Sequence, residues 1–165
     1  MPNYDAVYLD LEGTVIESWH DPLLINVGVL KEFLAKHNVT KVGIYSFAIY
    51  DANDREYFKR DTQSAIERAL GVEITDVPSI TDMMMVDHKY TGCQFMMGKK
   101  PMGGEIFDYI TIRGKAQSFA NFASYALKFT NALLIDDIVP DLTMEYHTVG
   151  CSIRFLNVTN KKNFL

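Results

Sequence analysis

Acidic side chains follow two separate apolar runs in this 165-residue sequence. Asp10 and Glu12 come after the run AVYL, and Asp136 and Asp137 come after the run ALLI. If both runs are strands of one parallel sheet, their carboxyl ends lie at the same edge and the four carboxylates converge there. Buried carboxylates are costly without a cation, and Mg²⁺ commonly bridges carboxylates to a substrate phosphate. The pattern therefore predicts a Mg²⁺ site and phosphoryl chemistry.

The elements that must position these acids alternate along the chain. Apolar runs predict strands over residues 6–11, 41–46, 132–135 and 152–158, with a further possible strand over 108–113. Helical spacing predicts helices from an N-cap at Asp21 to about residue 38, over 54–70 with Gly71 closing it, and over 115–128. The alternation predicts a single α/β domain over residues 1–165, a three-layer Rossmann-like parallel sheet with helices on both faces. Ser46, which ends the second strand, should lie at the same sheet edge as the acids.

The segment from about residue 75 to residue 114 has no clear periodicity. It combines a methionine run with several glycines, and we expect a small inserted element or a long functional loop there. Within it, residues 98–104 (GKKPMGG) predict a basic loop. Such a loop could meet a substrate phosphate, although more often it is only solvated.

The bulk composition narrows the class of protein. A net charge of −5 gives no general basic field for nucleic acid or for an anionic membrane. No apolar stretch approaches membrane-spanning length, and the start of the chain lacks the pattern of a signal peptide, so we expect a cytoplasmic protein with no membrane partner. Cys93 and Cys151 are too few and too far apart for a disulfide scaffold or a zinc knuckle, which predicts reduced thiols.

Four short segments resemble the motifs of the haloacid-dehalogenase (HAD) superfamily. The sequence YLDLEGTV, residues 8–15, is similar to the first motif, which is usually Asp-x-Asp-Gly-Thr. Ser46 resembles the second motif, Lys115 the third, and LLIDDIVPD, residues 133–141, the fourth. The motifs occur in the family's order, and the resemblance covers about residues 6–158. It implies a HAD-like fold and a Mg²⁺-dependent phosphomonoester hydrolase.

The resemblance also implies a role for each matching residue. Asp10 would be the nucleophile that forms an aspartyl-phosphate, and Glu12 would protonate the leaving oxygen and then activate water. Ser46 and Lys115 would bind the phosphoryl group. The metal ligands would be Asp10, the backbone carbonyl of Glu12 and Asp137, with Asp136 and Asp141 in support. Glu12 departs from the usual aspartate, and the enolase-phosphatase branch shares this Asp-x-Glu-Gly-Thr form.

The spacing of the motifs leaves little room for a cap domain. About thirty residues separate Thr14 from Ser46, and the segment 75–114 could hold at most a small cap. We therefore expect a nearly capless enzyme whose open site is covered by a large substrate or by a neighbouring subunit in a homo-oligomer. Trp19 and His20 follow the first motif, where family members place a flap over the active site, and could contact substrate or only pack at the surface.

Several alternatives stay open from the sequence. Lys128 competes with Lys115 for the third motif, although a lysine at a helix end is favoured by the helix dipole alone. A catalytically inactive HAD-like phosphate-binding or regulatory module, and a phosphotransferase, would carry the same motifs. A non-enzymatic α/β interaction domain with surface acids is a third alternative. The phosphorylated substrate could be a small molecule, a nucleic-acid end or a protein.

Overall fold

A computed structural model describes residues 4–92, 103–146 and 150–165. Within these residues, six strands form one sheet in the order β3-β2-β1-β4-β6-β5. They are β1 (Ala6–Leu9), β2 (Lys41–Ile44), β3 (Glu73–Asp76), β4 (Asn131–Asp136), β5 (Leu142–Tyr146) and β6 (Cys151–Asn157). All neighbouring strands pair parallel except β5, which is antiparallel to β6. The predicted α/β class is confirmed, and the sheet is parallel as predicted except for the edge strand β5.

Helices cover both faces of this sheet. The helices are α1 (Val27–Lys36), α2 (Ala52–Asp61), α3 (Gln63–Leu70), α4 (Ile80–Thr91), α5 (Gly103–Asp108) and α6 (Lys115–Asn121). Buried residues of α1, α2 and α3 form one apolar cluster with the sheet, and buried residues of α4 and α6 form a second cluster on the other face. The arrangement is therefore three-layered, with the sheet in the middle.

The alternation of side chains along the central strands explains the two clusters. Val7 and Leu9 of β1 point into the first cluster, whereas Tyr8 between them points into the second. In β4, Leu133 and Leu134 divide in the same way. Because successive strand residues face opposite sides, a strand covered on both faces needs a continuous apolar run. The runs AVYL and ALLI therefore become the buried centre of the sheet.

Two helix predictions were wrong in their bounds. The first helix begins at Val27 and not at Asp21, because residues 16–25 form a hairpin-like flap in which the Glu17 N–H donates to Leu23 and the Ile25 N–H donates to Val15. The helix predicted over 54–70 is divided into α2 and α3 at Thr62, whose φ of −125° leaves the helical region.

The least predictable part of the chain is largely helical where it is described. Strand β3 and helix α4 occupy its first half, and the strand expected over 108–113 is instead a π-helical segment, Tyr109–Arg113. A second π-helical segment, Phe122–Ala126, continues α6. Residues 93–102, which include Cys93 and most of the predicted basic loop, lie outside the described residues. Strands β3 and β5 were not predicted.

Among the described residues, no helix is both long enough and apolar enough to cross a bilayer. Cys151 is a free, buried thiol.

Replacement of Gly43 in β2 tests how tightly the sheet packs against the second apolar cluster, which contains Tyr8. A Cβ at this position would lie 2.2 Å from the Tyr8 ring, which the Tyr8 hydroxyl anchors by a hydrogen bond to Asp76. We expect Gly43→Ala to lower the free energy of unfolding by about 1–3 kcal/mol through overpacking. Gly28→Ala is the control, since nothing lies within 4 Å of its Cβ position. Urea unfolding of both variants should show a loss for Gly43→Ala alone, and equal losses would contradict this account.

Candidate active site

A tight turn after β1 fixes the position of the first acid. The Asp10 N–H donates to the Ile135 carbonyl of β4 (3.0 Å), so Asp10 still belongs to the parallel pairing. The chain then turns at once, because the Leu11 carbonyl accepts from the N–H groups of Thr14, Val15 and Ile16 at 3.0–3.1 Å. The Asp10 carboxyl is thereby held at the carboxyl edge of the sheet, where it is 5% exposed.

Lys115, the first residue of α6, joins the ends of β1 and β4. Its Nζ lies 2.5 Å from Asp10 Oδ1 and 2.7 Å from Asp136 Oδ2. Asp136 is fully buried, and the Lys115 side chain is 14% exposed. A buried ammonium between two buried carboxylates offsets part of the desolvation cost of all three groups.

The protonation of this cluster follows from burial and from its neighbours. Burial raises the pKa of Asp10, Lys115 opposes this effect and Asp136 adds to it, and together they place that pKa at about 7. Burial also acts to raise the pKa of Asp136, but Lys115 and two backbone N–H groups outweigh it and lower that pKa. For Lys115, burial acts to lower the pKa, and the two carboxylates raise it above its usual value. The ammonium therefore stays charged, and of the two acids that it contacts, Asp10 is the one whose charged form is less favoured.

Asp136 is already occupied by hydrogen bonds from the protein. Its Oδ1 accepts from the N–H groups of Ile138 (2.8 Å) and Val139 (3.3 Å), which shapes the turn after β4. Its Oδ2 contacts Lys115. With both oxygens engaged, Asp136 positions Lys115 and the turn, and it is a poorer metal ligand than its neighbour Asp137.

Asp137 has the features of a cation ligand. Its carboxyl lies with those of Asp10 and Asp136, so that one oxygen from each falls within 4.8 Å of the others. Asp137 Oδ1 is buried and accepts no hydrogen bond from the described residues. Gly13, with φ of +76°, makes room for it, since a Cβ there would lie 2.1 Å from Asp137 Oδ2. Lys115 and the Thr14 hydroxyl donate to Asp10, but no described residue donates to Asp137 Oδ1. A buried carboxylate oxygen without a donor beside a second carboxylate fits a divalent cation with oxygen ligands.

The turn after β1 offers a third candidate metal ligand, the backbone carbonyl of Glu12. The carbonyl oxygen of Glu12 accepts no hydrogen bond from the described residues, whereas the carbonyl of Leu11 before it accepts three. The predicted ligand set of Asp10, the Glu12 carbonyl and Asp137 is therefore compatible with the structure. Burial raises the pKa of Asp137, so a bound cation would also favour its charged form.

Ser46 lies at the carboxyl end of the neighbouring strand β2. Its side chain is buried, and its hydroxyl oxygen accepts from the Ala48 N–H at 3.1 Å. With the oxygen held in this way, the hydroxyl proton is available to an oxygen atom of a ligand. Phe47 lies between these two residues in sequence, and its ring centre is 5.7 Å from Lys115 Nζ.

A buried hydroxyl network joins the strand of Ser46 to the helix of Lys115. Ser118, one turn into α6, lies 2.7 Å from the hydroxyl of Tyr45 and 2.7 Å from that of Tyr109. All three side chains are buried in the second apolar cluster. Because a buried hydroxyl without a partner costs about 1–3 kcal/mol, the network favours one register between β2 and α6.

The side chains at these strand ends line one cavity of about 430 Å³, which we call the main cavity. Its polar lining consists of Asp10, Glu12, Ser46, Lys115 and Asp137, all of which were singled out from the sequence. Its apolar wall consists of Phe47, Ala48, Ile110, Ile138 and Val139, none of which was predicted. Phe47 and Ala48 follow Ser46 directly and could have been inferred from that position. Ile110 belongs to the segment whose path the sequence did not reveal.

The remaining predicted residues lie elsewhere. Asp141 is exposed, and its carboxylate accepts from the Asn157 N–H and from the side chains of Asn160 and Asn163 at 2.6–2.8 Å. It therefore ties the carboxyl-terminal segment to the end of β6. Lys128 is exposed with φ of +54° and does not line the main cavity, so Lys115 is the lysine that the fold brings to the acids.

No protein-family model, curated protein or solved structure matches this chain. The geometry of the described residues is therefore what supports an assignment of function.

Replacement of Lys115 tests the central ion cluster. In Lys115→Met, Asp10 and Asp136 lose their shared counter-charge, and we expect the free energy of unfolding to fall by about 3–5 kcal/mol, as for other broken buried ion pairs. Lys128→Met removes an exposed lysine and should change the free energy of unfolding by no more than about 0.5 kcal/mol. Urea unfolding at neutral pH measures both. If the two variants unfolded alike, the ion cluster would not be a stabilising element.

Proposed function

We propose that this protein is a Mg²⁺-dependent phosphomonoester hydrolase of the HAD type that uses Asp10 as its nucleophile. The observation that carries the proposal is the cluster formed by Asp10, Lys115 and Asp136, with Asp137 facing Asp10. It contains a nucleophile, a fixed positive charge and a site suited to a hard cation. Ser46 adds a hydroxyl donor in the same cavity.

Asp10, Asp137 and the Glu12 carbonyl would hold the Mg²⁺ ion. When bound, the ion would neutralise charge on a phosphoryl oxygen and keep the Asp10 carboxyl ionised. The choice of Mg²⁺ follows from the donors, since carboxylate and carbonyl oxygens suit small, hard cations, and an open cavity leaves room for water ligands.

The first chemical step would be attack by an Asp10 carboxylate oxygen on phosphorus. The bond between phosphorus and the ester oxygen breaks as the bond to Asp10 forms, and the leaving oxygen takes a proton from Glu12. Lys115 and Ser46 would stabilise the charge on the phosphoryl oxygens during this transfer. The products are an aspartyl-phosphate and the free alcohol.

The second step would return the enzyme to its starting state. Water attacks phosphorus, the Glu12 carboxylate takes the proton from that water, and the bond from phosphorus to Asp10 breaks. Glu12 is exposed at the mouth of the cavity, and its Oε2 accepts from the Trp19 N–H at 2.9 Å. Its Oε1 accepts no bond from the described residues, which leaves it available for proton transfer.

Removal of the nucleophile is the direct test of the proposal. We expect the parent chain to release inorganic phosphate from phosphomonoesters in the presence of Mg²⁺, and EDTA to abolish the release. Asp10→Asn keeps the shape of the side chain but not its nucleophilic oxygen, and should lower the rate by at least about 1,000-fold. Asp61→Asn, at the exposed end of α2, is the control and should retain full activity.

The same assay separates the alternatives. Phosphate transfer to an added alcohol, detected as a new phosphate ester, would favour the phosphotransferase. Mg²⁺ binding without any turnover would favour the inactive phosphate-binding module. If the chain showed neither Mg²⁺ binding nor turnover, the non-enzymatic interaction domain would be the better explanation.

Metal binding can be measured without activity. We expect Mg²⁺ to raise the unfolding temperature of the parent chain, and Asp137→Asn to weaken Mg²⁺ binding by at least about 10-fold, because it removes a charged ligand. Asp141→Asn should leave the affinity unchanged, since its oxygens are engaged with asparagines away from the cluster. Calorimetric titration measures both variants. An equal loss of affinity in the two variants would contradict the ligand set.

A further inference from the structure

A second cavity adjoins the main one. It has a volume of about 300 Å³ and is lined by Glu12, Trp19, His20, Ala48, Tyr50 and Asp54, and we call it the side cavity. Glu12 and Ala48 line both cavities, so the two are adjacent on either side of the proposed proton donor. A substrate with its phosphate in the main cavity would therefore extend its leaving group past Glu12 into the side cavity.

The flap formed by residues 16–25 positions one wall of the side cavity. Pairing of Ile16 with Leu24 forms its base, and the Ser18 N–H donates to the Asp21 carbonyl at its tip. Trp19, at this tip, donates its backbone N–H to Glu12. This hydrogen bond places Trp19 next to Glu12, the group that would protonate the leaving oxygen.

Aromatic rings give the side cavity a stacking surface. Trp19 is partly buried against the first apolar cluster, and its ring centre lies 5.8 Å from that of Tyr57, tilted by 43°. Tyr50, which also lines the cavity, is 48% exposed. A ring supported from behind and open in front binds a flat ligand with little loss of side-chain entropy.

The charges in the side cavity select among flat ligands. Asp54 Oδ2 accepts from the Tyr50 N–H at 2.9 Å, and its other oxygen accepts nothing from the described residues. Together with Glu12 it presents carboxylate oxygens that repel an anionic leaving group and accept hydrogen bonds from hydroxyl or amino groups. A nucleoside meets both requirements, since its base stacks and its ribose hydroxyls or the exocyclic amino group of its base donate.

From this combination we infer that the side cavity binds a nucleoside, so that the substrate is a nucleoside monophosphate. The inference rests on the proposed phosphatase function and names its substrate class. A mononucleotide fits better than a nucleic-acid strand, because each further phosphate would meet the acidic lining and the net charge of −5. The two cavities together have the size of an ordinary small-molecule site.

Two substrates that differ only in the base test the inference. AMP and ribose 5-phosphate carry the same phosphoester on the same sugar, and we expect kcat/KM for AMP to be higher by roughly 5- to 150-fold, the range for stacking of one base. Trp19→Ala should lower this ratio toward one, and Trp19→Phe should retain most of it. Tyr90→Ala, an exposed aromatic that lines neither cavity, should leave the ratio unchanged.

Binding of adenosine gives a readout that needs no turnover. Calorimetric titration should show adenosine binding to the parent chain and to Asp10→Asn, with the affinity lowered by at least about 5-fold in Trp19→Ala. Asp54→Asn, which keeps an acceptor for the Tyr50 N–H but loses a carboxylate oxygen, should also weaken binding. If Trp19→Ala does not fold, Trp19→Leu replaces it, because leucine keeps apolar volume without the indole.

The outcomes separate the two proposals. A parent chain that hydrolyses no phosphomonoester but binds adenosine through Trp19 would overturn the phosphatase function and leave the nucleoside site standing. Hydrolysis of AMP and ribose 5-phosphate at equal rates, with no adenosine binding, would overturn the nucleoside site and leave the phosphatase. A phosphotyrosine peptide hydrolysed in preference to AMP would assign the side cavity to a protein substrate and also overturn the inference.

Discussion

The ammonium group of Lys115 is the constraint on which the arrangement of the sheet edge depends. Asp10 and Asp136 are both buried, and Asp10 directly follows β1 whereas Asp136 ends β4. Without a cation between them, pairing of β1 with β4 would leave two buried carboxylates without a counter-charge, which is costly unless one acid is protonated. The lysine comes from a third element, α6, so one contact fixes two strands and a helix relative to one another. In the proposed reaction the same ammonium group would stabilise charge on the phosphoryl oxygens. The stability of the fold and the proposed activity would then both depend on Lys115.

The position of that lysine is secured from inside the core. Ser118 lies on the buried side of α6 and meets two tyrosine hydroxyls, one from the end of β2 and one from the π-helical segment before Lys115. These polar atoms sit among apolar side chains, where a shift of the helix would leave hydroxyls without partners. Apolar packing alone would tolerate sliding of α6 by a fraction of a turn more readily than this network does. The carboxyl edge of the sheet is therefore held in place by buried hydrogen bonds as well as by the ion cluster.

The sequence was most informative where an acidic residue directly follows a buried apolar strand. Asp10 and Asp136 follow runs that are buried on both faces, and parallel pairing then determines which edge they share. The start of α1 could not be predicted in the same way, because Asp21 carries a local helix-start signal that the pairing of Ile16 with Leu24 overrides. The role of Ser118 was equally hidden. Its two partners lie 73 and 9 residues away, and one of them belongs to a segment that looked extended from its sequence. Hydrogen bonds between residues so far apart in sequence form only when the helices pack on the sheet, so local sequence patterns do not predict them.

The place of Trp19 has a spectroscopic consequence. It is the single tryptophan of the chain, and it stands partly exposed at the rim of the side cavity, bonded through its backbone to Glu12. Indole emission depends on whether water or an apolar group touches the ring, so the indole emission of this protein comes from one known position. Any molecule that displaces water from the side cavity changes the surroundings of that ring. The native fluorescence of the chain is thus an internal reporter of the mouth of the site, with no label and no background from a second indole.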